Sequence, residues 1–216
     1  MYKYILFDLD GTLTDPSVGI TNSIMYAQEK MGLEVWARER LYIFIGPPLK
    51  EAFMEHFGLS EQDATKTLEY YREYFSTKGL YENQICDGIK ELLEDLKNTG
   101  KILALATSKP QQFAEKILEY FDISKYFDVV VGATMDGKLG KKSDVIAVTL
   151  QKIGANNLNK VVMVGDRCYD INGAKQNGID SIGVLFVNND PTELSESNAT
   201  YIANTPKELL EIINNN

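Results

Sequence analysis

The sequence predicts an α/β fold, a doubly wound parallel sheet with an all-helical module inserted near its start. Three observations predict it. Short apolar runs without polar alternation occur at Tyr4–Phe7, Ile102–Ala106, Val129–Val131, Val161–Val164 and Ser181–Phe186. They are rich in Ile, Val and Leu, the pattern of parallel strands covered on both faces. From the second run onward, helical patterns alternate with the strands at the spacing of βα repeats. Between the first run and the second, residues 16–81 hold helical patterns and no strand. A crossover of that length is an insertion rather than a loop.

The elements follow in order. Tyr4–Phe7 opens the sheet. In the insertion, Ile20, Ile24, Ala27 and Met31 recur at helical spacing, and Gly46-Pro47-Pro48 marks a sharp turn. Ser60-Glu61-Gln62-Asp63 is a near capping box ahead of Leu68, Tyr71 and Phe75. Beyond it, Gly88–Lys97 places Ile89, Leu92, Leu93 and Leu96 on one stripe and stops at Gly100. Gln111–Tyr120 carries Phe113, Ile117 and Leu118, with Pro110 at its first turn. Asp144–Ile153 carries Val145, Val148 and Ile153 and ends at Gly154. Thr205-Pro206-Lys207-Glu208 opens the last helix with an N-cap, a proline and an acidic third position. The expected division is 1–15 and 82–216 for the α/β core and 16–81 for the helical module. Its hinges are expected near Asp15-Pro16 and Tyr81–Asp87, where a lid would move.

Composition narrows the function. The chain has 216 residues, 44% of them hydrophobic, which excludes intrinsic disorder. Lysine and arginine number 22 against 31 acidic residues, so the net charge is 22 − 31 = −9. That balance repels a phosphate backbone and argues against a nucleic-acid partner. Small anionic substrates stay admissible, because a metal ion and a few lysines make a site locally positive. The two cysteines, Cys86 and Cys168, form no CxxC pair, which suits a reducing compartment and excludes a thiolate zinc site. The apolar run at the N-terminus is too short for a secretory segment. No run approaches the roughly 18 residues of a membrane span. The expected location is cytoplasmic, with no membrane partner.

The chemistry is written at strand ends. Phe7-Asp8-Leu9-Asp10-Gly11-Thr12-Leu13-Thr14 lies at the carboxyl end of the first strand, where open α/β sheets place their sites. Alone, Asp-x-Asp reads as a solvated acidic loop. A second pair, Asp166 and Asp170, follows the strand Val161–Val164 and delivers carboxylates to the same edge. Such a cluster without His or Cys calls for a hard cation, Mg²⁺. Thr107 and Ser108 end the strand Ile102–Ala106 just before a helix, suited to phosphate oxygens or to simple capping. Lys138, Lys141 and Lys142 cluster after the strand Val129–Val131, where one can offset phosphoryl charge or merely meet solvent. Gly132–Lys138 matches the first seven positions of a Walker A loop, but Leu139 stands where a Ser or Thr hydroxyl is needed, so the match is fortuitous.

Taken in chain order, Asp8–Thr14, Thr107-Ser108, the lysines near 142 and Asp166 with Asp170 are four motifs that span nearly the whole chain and resemble the haloacid dehalogenase superfamily of phosphatases, with Asp8-Leu9-Asp10-Gly11-Thr12-Leu13 as the most specific of them. The resemblance implies a Rossmann-like core with the inserted helices as its cap. It implies Asp8 as the nucleophile that forms an aspartyl-phosphate and Asp10 as general acid and base. Thr107 is then the hydroxyl of the second motif. Asp8, Asp166 and Asp170 bind Mg²⁺ together with the backbone carbonyl of Asp10. The lysine motif lacks the proline that commonly follows it, leaving Lys141 and Lys142 open, and the spacing to the next helix favours Lys142.

Ile20-Thr21-Asn22-Ser23 and Phe44-Ile45-Gly46-Pro47-Pro48-Leu49 resemble phosphoglycolate phosphatase-like and 5′-nucleotidase-like members. The implied substrate is a small phosphorylated metabolite such as phosphoglycolate, a sugar phosphate or a nucleoside monophosphate. Thr107 and Ser108 are the candidates for its phosphate. Gly46 and Lys50 are those for its far end, unless Gly46 is only a structural turn. A phosphomutase of the β-phosphoglucomutase type would use the same acid and base. A non-enzymatic receiver-type signalling domain also uses an acidic cluster with a Thr/Ser–Lys pair, but its motif order differs and it needs no helical insertion. Trp36, Met25 and Met31 read as packing residues, and His56 as a packing or solvated residue of the helical module, none with a chemical role.

Overall fold

The structure is a computed structural model that describes residues 1–187 and 191–216. In chain order its elements begin with strand β1 (Tyr4–Phe7), strand β2 (Thr14–Asp15) and helix α1 (Ser17–Met31). A 3₁₀ segment, Arg38–Phe44, leads to helices α2 (Leu49–Phe57) and α3 (Glu61–Tyr74), the latter running into a π-helical turn, Phe75–Gly79. Strand β3 (Gln84–Ile85) pairs with β2 in a two-stranded sheet. The core continues with α4 (Ile89–Asn98), β4 (Ile102–Pro110), α5 (Gln111–Tyr120), β5 (Val129–Ala133) and α6 (Lys142–Lys152). It closes with β6 (Val161–Gly165), α7 (Cys168–Gln176), β7 (Asp180–Val184), α8 (Pro191–Glu196), β8 (Tyr201–Ala203) and α9 (Pro206–Asn215).

The six-stranded sheet runs β5-β4-β1-β6-β7-β8, and every described pairing in it is parallel. This is the predicted α/β fold. Side-chain alternation explains why the strands read as continuous apolar runs. Tyr4, Leu6, Ala104, Ala106, Val161 and Met163 pack with Val145, Ile146 and Ala174 from α6 and α7 on one face. Ile5, Phe7, Leu103, Leu105, Val162 and Val164 alternate with them and are fully buried as well, so the opposite face is also covered. Burying such a side chain is worth about 1.5–3 kcal/mol, which fixes the strand register wherever both faces are dry.

Two compact units result, residues 1–14 with 85–216, and residues 15–84. In the second, Phe44 is the hub of an aromatic cluster with Phe53 (5.5 Å), Phe57 (4.9 Å) and the edge of His56 (5.4 Å), while Trp36 meets Phe57 edge-on at 4.9 Å. Trp36 is thus half-buried in this cluster, while His56 touches it by an edge and is otherwise exposed. Ser60 caps α3 by accepting from the Asp63 amide (3.1 Å), and Thr205 caps α9 by accepting from the Glu208 amide (3.2 Å), as their sequences predict.

Several element boundaries differ from those that the sequence predicts. β4 does not stop at Ala106 but continues to Pro110 through a register shift, so Thr107 and Ser108 belong to the strand's tail. Pro110 is the residue before α5 rather than part of its first turn, with φ −52° and ψ 130°. α6 begins at Lys142, two residues early, and β7 ends at Val184, two residues short of Phe186. β8 and α8 were not anticipated. Among the described residues, no helix is long and apolar enough to cross a membrane.

Candidate active site

The chain leaves β1 toward β4 and β5, then returns to the other side of β1 for β6, β7 and β8. That reversal falls at the carboxyl ends of β1, β4 and β6, the place where open α/β sheets hold ligands. Asp8 follows β1 directly, and its amide donates to the Val164 carbonyl (2.9 Å), continuing the β1–β6 pairing by one residue. The chain then closes a tight loop. The Leu13 and Thr14 amides donate to the Leu9 carbonyl (2.8 and 3.1 Å), and the Gly11 amide donates to the Thr14 carbonyl (2.7 Å). Gly11 has φ 81°, and a Cβ there would lie 2.1 Å from Asp166 Oδ2, so only glycine fits. Thr12 Oγ1 donates to Asp166 Oδ1 at 3.0 Å. The Gly-Thr of the first motif therefore anchors the loop against the carboxylate of the fourth.

Asp166 comes just after β6, and Asp170 is the third residue of α7. Asp170 Oδ2 reaches back to accept from the Arg167 amide (3.1 Å), which turns its other oxygen away from the helix end. A Cβ on Gly165 would approach Asp170 Cγ to 2.2 Å. The turn between strand and helix is also held from outside by Glu193 of α8. Its Oε1 accepts from the Cys168 amide (2.8 Å) and from Arg167 Nε (3.0 Å). This carboxylate caps α7 from another element, and no local pattern in the sequence marks it. Replacing Glu193 with Ala removes the carboxylate that accepts from the Cys168 amide and from Arg167 Nε. The expected cost is about 1–2 kcal/mol, a drop in melting temperature of roughly 2–8 °C for a chain of this size. An unchanged melting curve would show that the strap carries no load.

Lys142 is the first residue of α6, preceded by exposed Lys141. Its ammonium lies 2.8 Å from Asp8 Oδ1 and 2.9 Å from Asp170 Oδ1, and it donates to the Ala106 carbonyl (3.1 Å). Lys142, not Lys141, therefore stands among the carboxylates. Lys138 is solvated and paired with Asp136 at 3.0 Å. Thr107 is buried, and its Oγ1 accepts from the Lys109 amide (3.2 Å), while Ser108 is half-buried beside it. Lys109, which the sequence reading passed over, reaches Asp10 Oδ2 with its Nζ at 2.5 Å. Gly46 and Lys50 belong to the helical unit. Gly46 sits in a turn with φ 108°, and Lys50 pairs with Glu61 at 2.8 Å.

The electrostatics point one way. Asp8, Asp166 and Asp170 each bring a carboxylate oxygen within 4.8 Å of the others. Burial, then repulsion from Asp170 and Asp8, raises Asp166 well above the usual carboxylate range. Burial raises Asp170 too, against the pull of Lys142. Asp10 is raised by burial, with Lys109 opposing and Asp8 adding to the shift. Burial alone would discharge Lys142, but Asp170 and Asp8 outweigh it and hold the ammonium charged. Ionised, three carboxylates and one ammonium sum to −3 + 1 = −2. A hard divalent cation cancels that charge, and an all-oxygen donor set of this kind suits one.

The sequence matches the family described as haloacid dehalogenase-like hydrolase over residues 5–184. It is 42% identical over 200 residues to a 5′-nucleotidase of Pseudomonas aeruginosa, covering 93% of this chain and 90% of that protein. It is 40% identical over 182 residues to the tyrosine-protein kinase PtkA of Mycobacterium tuberculosis, covering 84% of this chain and 62% of that protein. Among solved structures, a predicted phosphatase from Clostridium acetobutylicum is similar over the full length of both chains, with a TM-score of 0.95 at 44% identity.

Proposed function

This chain belongs to the haloacid dehalogenase-like hydrolases as a phosphoric monoester hydrolase, and we propose that it works with Mg²⁺ through an aspartyl-phosphate on Asp8. One observation carries the reading. A buried lysine, Lys142, bridges a carboxylate free to attack, Asp8, and a carboxylate suited to a cation, Asp170, at the sheet's reversal point.

When bound to Asp8, Asp166, Asp170 and the Asp10 carbonyl, Mg²⁺ would offset charge on the phosphoryl oxygens and help to orient them. The chain's own residues account for the rest. Lys142 neutralises charge shared between Asp8 and an incoming phosphate, so that two anions can approach. The Thr107 hydroxyl donates to a phosphate oxygen, with Ser108 beside it. An Asp8 oxygen attacks phosphorus as the ester bond breaks, and Asp10 gives its proton to the departing oxygen. Asp10 then takes a proton from the water that attacks phosphorus, and the bond from phosphorus to Asp8 breaks. The raised proton affinity of Asp10 suits both duties.

The substrate proposed first is a nucleoside monophosphate, supported by the 5′-nucleotidase relative. Phosphoglycolate is the second choice, from the motif resemblance. Residues 15–84 are the candidate cap, with Gly46 and Lys50 as candidate contacts for the part of the substrate beyond the phosphate. A panel of phosphorylated metabolites ranked by kcat/KM tests the assignment. A nucleoside monophosphate should lead by tenfold or more, a gap of about 1.4 kcal/mol. Phosphate transfer to a tyrosine peptide instead of water would place the chain's activity with the kinase-named relative, and isomerised sugar phosphate would make it a mutase.

A further inference from the structure

Asp10 has two oxygens in unlike surroundings. Oδ2 accepts from Lys109 Nζ at 2.5 Å, while Oδ1 is buried and has no hydrogen-bond partner. Lys109 is itself only 8% exposed, so this is an interior contact and not a surface ion pair. The tail of β4 carries it there. Its amide donates to Thr107 Oγ1 (3.2 Å), and the next residue, Pro110, re-enters the sheet opposite Ala133 after the register shift. Backbone and ammonium of Lys109 are therefore both held.

A free carboxylate presents two equivalent oxygens and swings about χ2, whereas proton transfer needs one oxygen aligned with the breaking bond. We propose that Lys109 is the positioning residue for the acid/base group: it commits Asp10 Oδ2, fixes the carboxylate plane and leaves Oδ1 as the oxygen that exchanges the proton. In the first half-reaction, the Oδ1 proton passes to the ester oxygen as its bond to phosphorus breaks and the bond from Asp8 to phosphorus forms. In the second, Oδ1 takes a proton from water as the water oxygen bonds to phosphorus and the Asp8 bond breaks. Asp10 ends as it began, and Lys109 takes no part in the transfer.

The inference rests on the acid/base reading of Asp10, and the test separates the two. Lys109→Met, Lys109→Gln and Lys109→Arg are compared with the unaltered enzyme on an alkyl and an aryl phosphate, with rapid-quench measurement of the phospho-enzyme. In the Met variant, kcat on the alkyl phosphate should fall by about 10²-fold, at the low end of what general acid–base catalysis supplies. The first step on the aryl phosphate should fall far less, so phospho-enzyme accumulates, with KM within a few fold. Arg should recover most of the loss and Gln part of it, and these two carry the test if the Met variant does not melt cooperatively. A raised KM with kcat unchanged would make Lys109 a phosphate contact and overturn the proposal. So would an equal first-step loss on both substrates, or no loss. Asp10→Asn is the control. If it fails to separate the two leaving groups, the acid assignment itself falls. If it separates them and the Lys109 variants do not, only the positioning role falls.

Discussion

Replacing Asp8 with Asn leaves a folded protein with turnover reduced by on the order of 10⁴-fold or more, as expected when an attacking group is removed from a concerted site. An amide has no anionic oxygen to form a bond to phosphorus. The groups proposed to steady the phosphoryl oxygens, Lys142 and Thr107, stay in place but have nothing to assist. The fold has no reason to fail. Asp8 sits at the rim of the core beyond Phe7, and its amide bond to Val164 is a backbone contact that the substitution preserves. Asp8 also raises the cost of ionising Asp166 and Asp170, so removing its charge relieves repulsion. Lys142 still has Asp170 at 2.9 Å. In metal-free buffer the variant's melting temperature should therefore match or exceed that of the unaltered protein. Acid-quenched enzyme given radiolabelled substrate should carry phosphate only when Asp8 is present. Activity within tenfold of the unaltered enzyme would remove the covalent route and point to direct attack by water.

How much of this could be read from the sequence depends on how local each cause is. β1 was legible because Tyr4–Phe7 is buried on both faces, and a four-residue apolar run that stops at Asp8 fits the length of a strand and not of a buried helix. β8 was not. It has three residues at the sheet edge, two of them only half-buried, and such a strand is too short to impose a pattern. The tail of β4 escaped for a different reason: Thr107-Ser108-Lys109-Pro110 is polar and ends in proline, and its place in the sheet comes from a long-range pairing of Pro110 with Ala133 of β5.

The same rule divides the site. Asp8, Asp10, Asp166 and Asp170 stand out because each follows an apolar run at a predicted strand end. The choice between Lys141 and Lys142 needed helix phase, which the onset of α6 at Lys142 supplies. Lys109 and Glu193 were missed because their partners lie 99 and 26 residues away and nothing around either residue hints at the pairing. Contacts made by topology alone are invisible to periodicity.

Chelation should silence the enzyme completely and Mg²⁺ should restore it, and the stability of the metal-free protein should report why. The carboxyls of Asp166 and Asp170 bind protons more tightly folded than unfolded, chiefly through burial. Between the ordinary carboxylate range and the raised folded values, the native state therefore holds more protons than the unfolded chain. Unfolding free energy then falls as pH rises through that window, the reverse of a salt-bridged aspartate. Above it the cluster is ionised at −2, and the fold bears the repulsion. A divalent cation bound only by the native state cancels that charge. At a hundredfold excess over Kd it adds about 2.7 kcal/mol, or about 5 to 11 °C in melting temperature. Protons compete for the same oxygens, so the gain from Mg²⁺ should shrink toward pH 5 and widen toward pH 8. Calorimetric melts across that range, with EDTA and with Mg²⁺, make the comparison. Curves that stay parallel at every pH would mean that the cation does not bind at this cluster. Full activity after exhaustive chelation would mean that Lys142 and Thr107 carry the charge of the phosphoryl group unaided.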